Sequence, residues 1–111
     1  MKDIIQYDDF AKLDIALGTI LSVELIDGAD KLLKLGVDVG EESPRQILSG
    51  IREFLADPQA LVGRQFPFVV NLAPRTIRGF ESQGMILAAQ SDGVLAFLEP
   101  STKLPSGSRV N

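Results

Sequence analysis

Arg75 and Arg78 stand three residues apart in the segment 71–89, which reads N-L-A-P-R-T-I-R-G-F-E-S-Q-G-M-I-L-A-A. Two arginines, Ser82 and two glycines between apolar runs, with no nucleophile or base beside them, suit the holding of an anion. Lysine and arginine displace counterions from phosphates, and the planar guanidinium matches two phosphate oxygens at once. Lys31 and Lys34 open a second segment of apolar alternation. Cations from two separate segments favour a polyanion over a small ion, and RNA leads that class. Ser49, Ser82 and Asn71 are able to donate to phosphate or ribose hydroxyl groups. Met85 and Phe80 offer surfaces on which an unstacked base could rest.

Those side chains need a scaffold, and composition bounds it. The chain has 111 residues, 45% hydrophobic and 23% charged, enough for one domain with its own core. The whole of 1–111 reads as a single domain, without repeats, low-complexity tracts or a linker. No apolar run approaches the ~18 residues of a membrane span, and no signal-like segment opens the chain, so a cytoplasmic location without membrane contact is expected. Cysteine and histidine are absent. That excludes disulfides, thiolate or imidazole metal sites, and Ser-His or Cys-His catalysis. The adjacent pairs Asp8-Asp9 and Glu41-Glu42 diverge on any regular backbone and do not form an acid–base dyad. No cofactor motif is present. The net charge is −4, yet residues 31–78 carry +2 and the remainder −6. Charge is polarised rather than uniform.

Turn signals recur at short intervals, and long helical periods are missing. A helical turn over 8–13 capped by Asp8 is expected first, then strands over 14–26 (bent at Gly18), 31–39 and 45–49. Within 31–39, Leu33, Leu35, Val37 and Val39 share one face. Asp57-Pro58 through Gly63 has a cap, a first-turn proline and a terminating glycine, the marks of a short helix. Strands over 66–72, 84–90 and 94–98 follow, then an irregular tail with one short final strand. The reading is all-β: an OB-fold, a five-stranded Greek-key barrel with a short helix between strands 3 and 4 and flanking terminal extensions.

Four stretches in matching order carry a family resemblance: 7–15 (Y-D-D-F-A-K-L-D-I), 29–35 (A-D-K-L-L-K-L), 45–51 (R-Q-I-L-S-G-I) and 71–89. They resemble the EMAP-II-like tRNA-binding domains, and D-P-Q-A-L-V-G-R at 57–64 is most similar to the methionyl-tRNA synthetase branch. The resemblance implies a noncatalytic OB-fold that binds tRNA by shape and backbone charge, as a stand-alone protein or a domain appended to methionyl-tRNA synthetase. It implies a homodimer, for which the apolar flank Ile4, Ile5 and Tyr7 is suited. It implies an RNA surface of Lys31, Lys34, Arg45, Ser49, Asn71, Arg75, Arg78, Ser82 and Met85, with no metal or cofactor. The sequence departs from the family pattern at Ala16 and Thr76, where arginine and lysine are usual. A related branch implies an alternative, an export-chaperone-like peptide-binding homodimer. Each site residue also has a plainer reading: Arg45 paired with Glu41 or Glu42, Arg75 and Arg78 with Glu81 or Glu53. Ser49 and Asn71 would then satisfy strand ends, Ser82 shape a turn, and Met85 join the core.

Overall fold

The computed structural model describes all 111 residues. Its centre is a sheet of five antiparallel strands in the order β3-β2-β1-β4-β7: β1 (Ile15–Leu25), β2 (Leu33–Asp38), β3 (Arg45–Ser49), β4 (Gln65–Val69) and β7 (Met85–Ile86). Between β4 and β7 the chain makes a small hairpin, β5 (Arg75–Ile77) and β6 (Phe80–Ser82). A second hairpin, β8 (Ala88–Ser91) and β9 (Val94–Phe97), follows. The sheet curls into a nearly closed barrel. Its interior is filled by Ile20, Leu33, Leu35, Val37, Ile47, Leu61, Phe66 and Phe68, all at most 1% exposed. The β2 alternation is as expected, because only one parity of a half-buried strand can face the core.

Strand β1 serves two partners and must bend to do so. Ile15–Thr19 pairs with β4 and Thr19–Leu25 with β2. The register slips between Ile20 and Ser22, so the bulged residue is Leu21 and not the expected Gly18. Gly18 has a different duty: a Cβ there would lie 2.6 Å from Val37 and 2.7 Å from Phe68, so the side chain is missing to let the core close.

Other boundaries shift for identifiable reasons. Lys31 lies in the turn before β2, not at the head of the strand, because Leu32 N–H bonds back to Ala29 O. The first helical turn is Tyr7–Phe10; its N-cap is Gln6, not Asp8, and Asp9 at the third helical position reaches back to accept from the Gln6 N–H at 3.1 Å. The expected short helix is a 3₁₀ turn over Pro58–Leu61, ended at Gly63 (φ +88°), and the Asp57 side chain forms no cap bond. A second 3₁₀ turn, Arg52–Phe54, precedes it. The strand expected over 84–90 is divided between β7 and β8. Leu87 N–H donates to Pro67 O at 3.0 Å, but proline has no N–H to return, so the ladder with β4 stops there. In place of the expected short final strand the tail adds a single β-bridge, Ala16 to Arg109, flanked by bonds from Leu17 N–H to Ser108 O and from Val110 N–H to Ile15 O, along the edge of β1 that β2 leaves open.

Candidate nucleic-acid interface

The arginine segment is built as a hairpin on the outside of the barrel. Arg78 and Gly79 form its two-residue turn, both with positive φ (54° and 84°), which matches the right-handed twist of the flanking strands. In the register Arg75↔Ser82 and Ile77↔Phe80, these four side chains share one face, and Thr76 and Glu81 take the other. That shared face meets the outer side of β2 and β3.

The hairpin joins β3 through side chains rather than a regular ladder. Gln46 N–H donates to Gln83 Oε1 at 2.9 Å, Gln83 N–H to Gln46 O at 2.8 Å, and Gln46 Nε2 to Glu81 O at 2.9 Å. Ser82 is buried; its Oγ accepts from Leu48 N–H at 3.0 Å and donates to Gly84 O at 3.2 Å. An edge strand's N–H groups must be satisfied somehow, and here two side chains do it.

Arg45 completes the seam. Its guanidinium forks onto Glu41 (2.8 and 2.9 Å), and Nη1 also donates to Val70 O (2.5 Å) and Gln83 O (3.0 Å). The hydrogen bonds from Arg45 hold the Glu41 carboxyl below the ordinary carboxylate range, and the same bonds raise Arg45. Asn71 also serves the structure, since its Oδ1 accepts from Asp14 N–H (2.8 Å) and its Nδ2 donates to Lys12 O (2.6 Å). Every polar contact that Arg45, Asn71 and Ser82 make is within the protein: Arg45 pairs with Glu41 as the plainer reading had it but also binds two carbonyls, and Ser82 satisfies a strand N–H as well as the turn.

The remaining cations differ. Lys34 pairs with Glu24 at 2.9 Å and lies 4.6 Å above the Phe80 ring. Lys31, Arg75 and Arg78 are exposed and form no ion pair; neither Glu81 nor Glu53 engages the arginines. Ser49 is half-buried opposite Leu33 at the end of β3. Met85 is exposed rather than core, and with Leu48, Leu72, Ile77 and Arg75 it lines a concavity of about 320 Å³. A second cleft of about 480 Å³ runs between the hairpin tip and the β1–β2 turn, past Leu25, Asp27, Lys34, Arg78 and Phe80. The roomiest depression, about 640 Å³, is bordered by Glu41, Glu42 and Arg45. With Arg45 already engaged by Glu41, its unpaired charge is that of Glu42, which repels phosphate.

Sequence reasoning missed Gln46, Gln83 and Asp27. The two glutamines meet only after the barrel closes, and no periodicity marks them. Asp27 lies in the turn between β1 and β2, and no motif in the sequence marks it.

A nearly closed five-stranded antiparallel barrel, with unpaired cations on a hairpin lying across β2 and β3, defines an OB-fold binding domain. Comparison with known proteins specifies the family. The family model described as "Putative tRNA binding domain" matches residues 15–109, and the chain belongs to this family. It is 46% identical over 107 residues to the methionine–tRNA ligase of Enterococcus faecalis and 48% identical over 111 residues to that of Flavobacterium johnsoniae. These alignments cover 96% and 99% of the chain but only 16% and 15% of the two ligases. The methionyl-tRNA synthetase-related protein of Pyrococcus horikoshii superposes with a TM-score of 0.89 at 35% identity, covering 98% of this chain and 99% of that one. The chaperone CsaA of Bacillus anthracis superposes with a TM-score of 0.87 at 28% identity, covering 98% and 100%.

Proposed function

We propose that the domain binds tRNA, without catalysis, through the hairpin β5–β6 and the adjoining β2–β3 face. The observation that carries this reading is that Arg75, Arg78 and Lys31, three of the cations the family resemblance singles out, form no ion pair on a chain whose net charge is −4. An unpaired cation reaches phosphate without first surrendering a carboxylate. Lys34 contributes through its exchangeable pair with Glu24, Met85 supplies a surface for a base, and Ser49 adds a hydroxyl at the β3 end. Arg45, Asn71 and Ser82 act by holding the hairpin and the strand ends in place.

The domain works beside methionyl-tRNA synthetase, as an appended part or a partner, and therefore in the cytoplasm. Similarity over the whole chain to a small part of those ligases supports this placement. It also pairs as a homodimer through the N-terminal flank, where Ile4, Ile5 and Tyr7 are 96%, 61% and 77% exposed. Two weak patches on one folded RNA gain effective concentration that a single patch lacks.

The test is fluorescence anisotropy with bulk tRNA across a salt series. Affinity is expected to fall with a log–log slope of roughly −0.7 to −0.9 per phosphate contacted. R75E and R78E should each weaken binding and leave the urea midpoint unchanged. Unaltered affinity in both variants would remove the hairpin from the interface. A second reading, capture of unfolded polypeptide, is supported by the likeness to the chaperone and by the apolar lining of the Met85 concavity. If an unfolded polypeptide displaces tRNA and binds more tightly than it, that reading prevails.

A further inference from the structure

Arg78 is hard to explain by folding alone. It occupies the first turn position at φ +54°, where glycine, asparagine or aspartate is favoured, yet its guanidinium forms no ion pair within the protein. A strained backbone kept for a side chain with no structural partner points to a ligand.

The cleft it borders offers three kinds of contact. Phe80, half-buried, and Leu25, 54% exposed, give an aromatic and aliphatic wall. Arg78 gives an unpaired cation, with the Lys34 ammonium fixed above the Phe80 ring. Asp27, exposed in the β1–β2 turn, gives a carboxylate that no cation of the chain engages. A phosphate chain alone leaves the wall unused and is repelled by Asp27. An apolar side chain leaves both charges unused. A single unstacked nucleotide uses all three, with its base on the wall, its phosphate at Arg78 and its N–H groups on Asp27. Among the bases, guanine presents a ring N–H and an exocyclic amine side by side, matching both carboxylate oxygens. Adenine and cytosine offer the amine alone, and uracil a lone ring N–H between two carbonyls.

We propose that this cleft is a subsite for one unstacked guanosine nucleotide of the bound RNA, read through Asp27. The proposal rests on the tRNA-binding reading above and adds a base preference to it. The volume, about 480 Å³, lies within the range of small-ligand sites.

The experiment titrates the ¹⁵N-labelled full chain with the four 5′-mononucleotides and with inorganic phosphate, following the amides of Asp27, Gly79 and Phe80. GMP should bind roughly tenfold more tightly than UMP, the discrimination of a good bidentate pair. D27N should abolish that preference and keep the response at Gly79. Asparagine before Gly28 turns as readily as aspartate, so the fold is retained in this variant. F80L should weaken all four nucleotides and spare the response to inorganic phosphate. Equal affinity for the four bases, a phosphate response that reproduces that of GMP, or no response at these amides overturns the subsite. Bulk tRNA is measured in parallel. Tight tRNA binding without base preference removes the subsite and spares the tRNA reading, whereas a guanine preference without tRNA binding removes that reading and, with it, the placement of the subsite on a bound RNA.

Discussion

Arg45 and Arg75 are both arginines of the resembling pattern, and their surroundings give them different jobs. Arg75 meets no carboxylate, whereas Arg45 commits its donors to Glu41, Val70 O and Gln83 O. Replacing Arg45 by alanine leaves two carbonyls and a carboxylate without their donor. R45A should therefore lower unfolding stability by about 2 kcal/mol, read from urea denaturation. The pH dependence follows from the same contacts. Glu41 is held down by its bonds from Arg45, and Glu99 by those from Arg64 (Nη2 to Oε1, 2.6 Å). A carboxyl whose folded value lies below its unfolded value stabilises the fold at pH above the unfolded value. That contribution is lost as pH falls through the folded value. The urea midpoint should decline on acidification below the ordinary carboxylate range, and E41Q with E99Q should flatten that limb.

Among the elements, the hairpin β5–β6 depends on its seam with β3 more than on its own short ladder. Ser82 is the critical side chain because the Leu48 N–H it satisfies is buried. S82A should cost about 1–3 kcal/mol, the penalty of an unsatisfied buried donor. It should also speed hydrogen exchange at Leu48 and Gln46 ahead of the barrel as a whole. Loss of tRNA affinity in this variant would arise from a loosened platform, so its salt slope should stay near wild type. In β1, G18A forces a Cβ to within 2.6 Å of Val37 and should destabilise by about 1–3 kcal/mol through overpacking.

For the molecule as a whole, the proposed binding should be modest in affinity and steeply salt-dependent, because its unpaired cations act against a net charge of −4. The proposed pairing of two copies would offset that weakness. Light scattering should give twice the chain's mass, and serine at Ile4 and Tyr7 should give a monomer with weaker tRNA binding and an unchanged β-sheet spectrum. A wild-type mass of one chain would remove the dimer from the proposal. No helix is long and apolar enough to cross a membrane.

Read alone, the residues determined the barrel: alternation in 33–39, the proline and glycine around the 3₁₀ turn, and the order of motifs that carries the family. These are local signals, fixed by side-chain parity and backbone freedom. Only the tertiary structure decided what the cations do. Whether an arginine is a strut or a free charge depends on which groups the closed barrel brings within reach: the Glu41 partner of Arg45 lies four residues away and was legible, but its carbonyl partners on Val70 and Gln83 lie far away in sequence. Arg45 meets Gln83 across 38 positions and Lys34 lies over Phe80, while Arg78, on a positive-φ turn, meets no carboxylate.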